Sequence, residues 1–271
     1  MMFYNARCSQ VILASDTMNY IEFGTGKKPL IILQGLNDGL LPVHGKIQAI
    51  LLALDYKRFA RDFKVYMFSR KKHLENDCST RSMARDLAKA MKMLNITKAA
   101  VMGVSQGGMI AQYLAIDYPD LVEKLVLVVT LSSQNETVQN TVKNWIELAQ
   151  QGKHKQLMID TAERSYSEAY LRKYRLIYPL LGRVGKPKSY DRFIAQANSC
   201  INHASYGELN RIVCPTLVIG GGQDKIVGTS SAAKLAEKIN NSELVIYEAF
   251  GHALYVEAKD FKDRVLHFLT R

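Results

Sequence analysis

A glycine-framed turn near the middle of the chain constrains the fold more than any other segment. Residues 99–102 are apolar, as in a buried strand, and residues 106–117 carry the pattern of a helix. Between them, Gly103, Ser105 and Gly107 are each separated by one residue, and a strand-to-helix turn of this kind holds its serine in a strained backbone conformation. The hydroxyl then projects beside a helix N-terminus, where backbone N–H groups stabilise negative charge. Ser105 is therefore a candidate nucleophile. The alternative is a glycine-rich connection with an incidental serine, and the turn alone does not separate the two.

Length and hydropathy favour one large globular domain. At 271 residues, 48% hydrophobic and 23% charged, the chain can bury an α/β core with an inserted subdomain. No apolar run approaches the roughly 20 residues that cross a bilayer. The N-terminal residues lead only to a four-residue apolar run at 11–14, whereas a signal peptide has a core of roughly 7–15 apolar residues. We therefore expect a cytoplasmic protein without membrane contact.

The charge balance is basic but dispersed. Thirty-six basic and 25 acidic residues give a formal net charge of +11, and the densest basic stretches are the short segments 70–73 and 172–175. Because no nucleic-acid-binding motif accompanies them, we expect a solvated basic surface and no nucleic-acid partner. Attraction of anionic ligands is the alternative. We expect a small-molecule substrate as the partner, and a monomer or homodimer.

The cysteines give no sign of a metal centre or a disulfide framework. Four are present, and neither a Cys-x-x-Cys pair nor a Cys/His ligand spacing occurs; they are Cys8, Cys78, Cys200 and Cys214. We expect neither a metal nor a cofactor.

Apolar runs alternate with amphipathic stretches over most of the chain. This alternation predicts an α/β fold, with a mostly parallel sheet covered by helices on both faces. The predicted strands are 18–23, 29–34, 64–69, 99–102, 122–131, 216–220 and 244–247. The predicted helices are 79–94, 106–117, 230–239 and 261–269.

The alternation stops between residues 132 and 210, where the chain is helical, more polar and rich in tyrosine. We interpret residues 132–210 as an inserted helical cap. Residues 1–131 and 211–271 then form the core domain.

Four tyrosines of this segment recur at every fourth residue: Tyr166, Tyr170, Tyr174 and Tyr178. That spacing predicts one slowly rotating face of a helix. Packing against the core explains most of them. We predict that one or two of the first three line a substrate pocket, with an apolar ring and a polar tip.

A serine nucleophile needs a base, usually histidine, and an acid that orients the base. Asp224 follows the strand at 216–220, and His252 follows the strand at 244–247. Both are therefore expected at the carboxyl edge of a parallel sheet, where α/β folds collect catalytic groups. The chain order serine, aspartate, histidine fits this architecture. A turn-capping role for Asp224, a loop hydrogen bond for His252, and Glu248 as the acid are the alternatives.

The reaction also needs two backbone donors for the developing oxyanion. One is the N–H group that follows the nucleophile, at Gln106. The other comes from the loop after an early strand, and residues 31–39 supply such a loop, with Leu36 as the expected donor and Gly35 permitting the close turn.

Taken together, these segments resemble the α/β-hydrolase superfamily. The matching pieces cover nearly all of the chain outside the cap: residues 33–35, 103–108, 118–127, 215–220 with Asp224, and 251–252. The resemblance implies an eight-stranded, mostly parallel sheet, a lid between strands six and seven, and a Ser-His-Asp mechanism without a cofactor.

Two segments depart from the family pattern. Gln34 stands where the family usually carries histidine in the oxyanion loop, and residues 69–75 lack the glycines that the family often has after the next strand. Since that second loop flanks the site in relatives, substrate choice is expected to differ. Arg70 within it is either a structural ion-pair partner, which we favour, or an anion-binding group.

The sequence thus predicts a serine hydrolase that transfers the acyl group of an ester-like substrate to water. One alternative is a lyase or synthase on the same scaffold acting on an anionic substrate, motivated by Arg70 and the basic surface. The other is a ligand-binding protein with a vestigial triad.

Overall fold

The computed structural model describes residues 2–14, 16–75, 77–183 and 185–271. Its strands are β1 (Arg7–Leu13), β2 (Asp16–Phe23), β3 (Lys28–Leu33), β4 (Phe63–Lys71), β5 (Ala99–Val104), β6 (Val122–Val128), β7 (Thr216–Gly221) and β8 (Ser242–Tyr247). They form one eight-stranded sheet in the order β1-β2-β4-β3-β5-β6-β7-β8. The pairs β1–β2 and β2–β4 are antiparallel, and the other neighbours are parallel. The predicted mostly parallel, eight-stranded sheet is confirmed.

Helices connect the strands and cover both faces of the sheet. They are α1 (Lys46–Asp55), α2 (Thr80–Met93), α3 (Gln106–Asp117), α4 (Glu136–Gln150), α5 (His154–Ser165), α6 (Glu168–Tyr174), α7 (Tyr178–Leu181), α8 (Asp191–Ile201), α9 (Ser231–Lys238), α10 (Leu254–Glu257) and α11 (Phe261–Thr270). The helices α4 to α8 all belong to the connection between β6 and β7. Within the part of the chain that the structure describes, no helix has both the length and the apolar character needed to cross a membrane.

The central strands are buried on both faces, which explains their continuous apolar runs. Along β3, Ile31 and Leu33 belong to the core layer that includes α2 and α3, whereas Leu30 and Ile32 belong to the layer that includes α1 and α11. Successive side chains of a strand point to opposite faces, so one apolar run fills two layers. Because these strands belong to the parallel part of the sheet, the carboxyl ends of β3, β5, β7 and β8 meet at one edge, between the two layers.

A third apolar cluster joins the β6–β7 connection to that edge of the sheet. Leu36 of the loop after β3 and Met109 of α3 pack with Val138 and Trp145 of α4 and Phe193 of α8. These helices consequently lie against the loops that follow the central strands.

The helix α1 was not predicted, and its surface pattern explains why. Its buried positions are the small residues Ala49 and Ala53, while the large side chains Ile47, Leu51 and Leu54 are exposed. Small residues allow the helix to approach the sheet closely, so the usual apolar stripe does not mark the buried face.

The tyrosine repeat does not lie on one helix, so that prediction is wrong. The helix α5 ends at Ser165, and Tyr166 has an extended backbone, with φ −98° and ψ 155°. Ser167 then caps α6 by accepting a hydrogen bond from the Tyr170 N–H. This capping serine starts a new helix in the middle of the repeat.

Replacing Ile31 by alanine is expected to lower the free energy of unfolding by about 2–5 kcal/mol, the usual cost of emptying a buried isoleucine site. Ile31 is 0% exposed, whereas Ile12 on β1 is 59% exposed and serves as the matched control. For Ile12→Ala the change should stay within about 0.5 kcal/mol. Denaturant unfolding followed by circular dichroism measures both, and equal shifts of the two midpoints would contradict the assignment of the core.

Candidate active site

Ser105 lies on a sharp turn between β5 and α3. Its backbone has φ 54° and ψ −120°, a conformation that side-chain-bearing residues rarely adopt. Two hydrogen bonds hold it there: the Ser105 N–H donates to Val128 O at 2.9 Å, and the Thr130 hydroxyl donates to Ser105 O at 2.8 Å. Strain of this kind persists only where the surroundings enforce it, and it is common at functional sites.

The two framing glycines are required by close backbone contacts. A Cβ atom on Gly103 would lie 2.4 Å from Gly107 O, and one on Gly107 would lie 2.1 Å from Leu33 O. Side chains at these positions would force α3 away from β3 and β5. The motif in the sequence is therefore explained by packing.

Asp224 and His252 form a buried pair at the same edge of the sheet. Asp224 Oδ2 lies 2.8 Å from His252 Nδ1, and the two residues are only 4% and 7% exposed. Asp224 Oδ1 accepts hydrogen bonds from the N–H groups of Ile226, at 2.8 Å, and Val227, at 3.0 Å. Because an ionised carboxylate only accepts hydrogen bonds, Nδ1 carries the proton, and Nε2 remains available as an acceptor. Glu248, the alternative acid, is exposed.

A cavity of about 270 Å³ brings the separate parts together. Ser105 and His252 line it with Leu36 of the loop after β3. From the β6–β7 connection, Trp145 and Ser165 also line it. Ser105, His252 and the loop after β3 thus line the same cavity.

The loop after β3, predicted to hold the oxyanion, lies directly against Ser105. A Cβ atom on Gly35 would be 3.2 Å from Ser105 Cβ, and Leu36 begins the 3-10 turn Leu36–Gly39. Gln106 is the first residue of α3, where helical N–H groups have no partner within the helix. The two predicted backbone donors therefore flank the serine.

Arg70 does not line the cavity. It is 4% exposed, and its Nη2 donates hydrogen bonds to Gln34 O, at 2.6 Å, and to Gln106 Oε1, at 2.9 Å. Burial lowers the pKa of the Arg70 guanidinium from its usual value. Because arginine is not deprotonated in proteins, the guanidinium nevertheless stays charged. The favoured structural interpretation of this residue agrees with these contacts, although its partners are amides and not the expected ion pair.

The predicted substrate-contacting tyrosines form a stack away from the cavity lining. The ring centroids of Tyr166 and Tyr170 are 4.4 Å apart, and those of Tyr170 and Tyr174 are 4.3 Å apart. None of the three belongs to the lining residues. The tyrosines that do line the cavity are Tyr56 and Tyr255, and burial raises the pKa of both hydroxyls well above the usual value.

Among the lining residues missed in the sequence are the aromatic residues Tyr56, Trp145 and Tyr255. Tyr255 is three residues after His252, and Trp145 is the only tryptophan, so position and rarity were available signals for these two. Tyr56, at the end of α1, carried no signal. None of the described residues that line the cavity has a carboxylate, ammonium or guanidinium side chain.

Among residues 2–14, 16–75, 77–183 and 185–271, no three His, Cys, Asp or Glu side chains are grouped so that they could hold a metal ion. The four cysteines are free thiols.

Comparison with known proteins gives the family. A family model described as the alpha/beta hydrolase fold matches residues 28–259. A crystal structure of an alpha/beta hydrolase enzyme from a Medee basin deep-sea metagenome library superposes with a TM-score of 0.83. The two proteins are 21% identical, and the match covers 97% of this chain and 98% of that one.

Two curated relatives are similar over a shorter range. A 2-hydroxy-6-oxononadienedioate/2-hydroxy-6-oxononatrienedioate hydrolase of a Pseudomonas species is 25% identical over 67% of this chain and 66% of its own length. Monoacylglycerol lipase abhd6-A of Xenopus laevis is 25% identical over 60% of this chain and 52% of its own length. The match thus spans less than two thirds of either relative. The family match, together with the eight-stranded sheet and the turn at Ser105, shows that the chain belongs to the α/β-hydrolase family.

Proposed function

We propose that this hydrolase cleaves small, uncharged esters through a covalent acyl-enzyme on Ser105. The observation that carries the proposal is the contact of His252 with a buried, doubly anchored Asp224, in the cavity that Ser105 also lines. A nucleophile on a strained turn, a histidine and a carboxylate that orients it are the three parts that serine-based acyl transfer requires.

The reaction has two halves. Ser105 Oγ attacks the ester carbonyl while His252 Nε2 takes its proton, and the carbonyl oxygen becomes an oxyanion held by the N–H groups of Leu36 and Gln106. His252 returns the proton to the leaving alcohol as the C–O bond breaks. Water then attacks the acyl-enzyme with His252 again as base, which releases the acid and restores Ser105. Asp224 stabilises the charged imidazole in both halves.

The cavity supports a small, neutral substrate. Its volume of about 270 Å³ is at or below the low end of the roughly 300–1,000 Å³ of small-molecule pockets. Ile32, Val104 and Ile226 supply apolar walls, and Tyr56 and Tyr255 supply hydroxyl groups. A carboxylate on the substrate would lose its hydration without gaining a cationic partner from the lining. The dioate in the name of the Pseudomonas enzyme is therefore a less suitable substrate class for this cavity than the neutral ester in the name of the lipase.

We also propose that residues 132–210 act as a cap over this cavity, as expected from the sequence. Trp145 of α4 and Thr161 and Ser165 of α5 contribute to the lining, which supports that role. The lyase alternative loses one of its two motivations, because Arg70 binds Gln34 and Gln106 instead of lining the cavity. The basic surface remains as the other.

A fluorophosphonate probe is expected to label the protein at Ser105, because the probe reacts only with an activated serine. Ser105→Ala should abolish labelling, whereas Ser230→Ala, at an exposed serine at the start of α9, should leave it unchanged. In-gel fluorescence and peptide mass spectrometry read out the site. Full labelling of Ser105→Ala would overturn the nucleophile assignment.

Asp224→Asn is expected to lower kcat for p-nitrophenyl acetate about 10⁴-fold, because an amide in place of the carboxylate favours the wrong imidazole tautomer. The matched control is Glu248→Gln, which removes the exposed alternative acid and should retain activity. Steady-state kinetics of both variants decide the matter. A large loss in Glu248→Gln with activity kept in Asp224→Asn would identify Glu248 as the acid.

We expect the enzyme to hydrolyse esters with a charged acyl group less efficiently than esters with a neutral one. Relative to p-nitrophenyl pentanoate, the similarly sized p-nitrophenyl hemisuccinate should show a kcat/KM about 10- to 100-fold lower, since its buried carboxylate has no partner in the lining. Initial rates at several concentrations of each ester provide the comparison. Equal or faster cleavage of the hemisuccinate would point to an anionic substrate class.

A further inference from the structure

We propose that Arg70 is a positioning residue that fixes the two oxyanion donors relative to each other. The proposal rests on the hydrolytic mechanism above. One guanidinium nitrogen, Nη2, contacts both segments: it donates to Gln34 O, at 2.6 Å, and to Gln106 Oε1, at 2.9 Å. Gln34 precedes the Leu36 donor by two residues, and Gln106 carries the other donor on its own backbone.

The side-chain amide of Gln106 is oriented so that its oxygen, Oε1, accepts the hydrogen bond from Arg70. Its Nε2 donates to Gln196 O, at 2.8 Å, and to Ser199 Oγ, at 3.2 Å, and the residue is 0% exposed. With its amide nitrogen directed to α8, its oxygen is directed to Arg70. A shift of Arg70 would therefore be transmitted to the first residue of α3.

Arg70 is itself fixed by a buried carboxylate. Asp38 lies in the 3-10 turn that Leu36 begins. Its Oδ2 accepts a hydrogen bond from the backbone N–H of Arg70, at 3.3 Å. The same oxygen accepts from Arg192 Nη2, at 2.6 Å, and from Gln196 Nε2, at 3.1 Å. Arg192 also donates to Arg70 O, at 3.2 Å. The oxyanion loop, the end of β4 and α8 thus share one hydrogen-bonded centre.

The free-energy cost of burying Arg70 indicates that this residue has a role other than stabilising the fold. Among the described residues, its Nε and Nη1 atoms are buried and have no hydrogen-bond partner. Unsatisfied buried donors of a charged group destabilise a fold. In return, the guanidinium makes a charge-assisted contact, stronger and more directional than a neutral one. This contact links two segments that lie far apart in the sequence.

Two donors on separate segments stabilise an oxyanion only if both lie about 2.7–3.1 Å from the same oxygen. A displacement of about 1 Å costs on the order of 100-fold in rate. A rigid link between the segments therefore acts on the transition state and leaves ground-state binding nearly unchanged.

The experiment compares Arg70→Met with Arg81→Met, whose arginine is exposed and ion-paired to Asp117 and Glu208 on the surface. With p-nitrophenyl pentanoate, Arg70→Met should lower kcat about 100-fold with KM within about twofold, and Arg81→Met should change neither. Arg70→Lys should recover part of the loss, because an ammonium group also donates charged hydrogen bonds.

Inhibitor binding separates positioning from a general structural effect. A trifluoromethyl ketone forms a tetrahedral oxyanion on the serine, whereas the matched methyl ketone binds as a planar carbonyl. In Arg70→Met, Ki for the first should rise in parallel with the loss of kcat, and Ki for the second should stay within about twofold. If Arg70→Met does not fold, Gln106→Met tests the same link, since it keeps the backbone donor and removes the acceptor of Arg70.

The outcomes are distinct. Unchanged kcat and unchanged trifluoromethyl ketone affinity in a folded Arg70→Met protein overturn the positioning role alone. A raised KM with unchanged kcat also overturns it and makes Arg70 a binding residue. A parent protein that neither hydrolyses esters nor reacts with fluorophosphonate at Ser105 overturns the hydrolytic mechanism, and the positioning role with it.

Discussion

The close approach of α3 to the strands is the contact on which the rest of the site depends. Only hydrogen atoms fit at Gly103 and Gly107, where a methyl group would overlap backbone atoms at 2.4 and 2.1 Å. This packing presses the N-terminus of α3 against the end of β3 and holds Ser105 at φ 54°. Hydroxyl, helical N–H groups and the loop after β3 are therefore brought together by a single backbone contact. The core layers on both faces of the sheet supply the rigidity that maintains it.

Charge is distributed unevenly around this contact. Behind the loop after β3, the buried Asp38 and Arg70 form a hydrogen-bonded network with the partly exposed Arg192, and none of the three lines the cavity. The described residues that do line it have no carboxylate, ammonium or guanidinium group. In a cavity with such an uncharged lining, negative charge that develops on a substrate oxygen is stabilised by backbone dipoles that are already oriented. The same arrangement disfavours substrates that bring a charge of their own.

Much of the fold, and the placement of Asp224 and His252 at one edge of the sheet, could be predicted from the sequence, because both follow from local rules. Buried parallel strands give continuous apolar runs, and residues just after such strands must share one edge, which placed Asp224 near His252. Ser79, which begins the predicted helix at 79–94, caps α2 with a reciprocal bond to Ser82. The positions that could not be predicted depend on distant partners. Ser167 breaks the tyrosine repeat where its N–H donates to Glu257, 90 residues away, and Arg70 meets Gln106 only after folding.

The single tryptophan gives the cavity an optical label of its own. Trp145 is 5% exposed, lines the space beside Ser105 and donates its indole N–H to Asp160 Oδ2 at 2.7 Å. Since the chain contains no other tryptophan, emission excited at the red edge of the absorption band comes from this one ring. The intensity and wavelength of that emission therefore report on the polarity of this cavity, without any added dye and without background from other tryptophans.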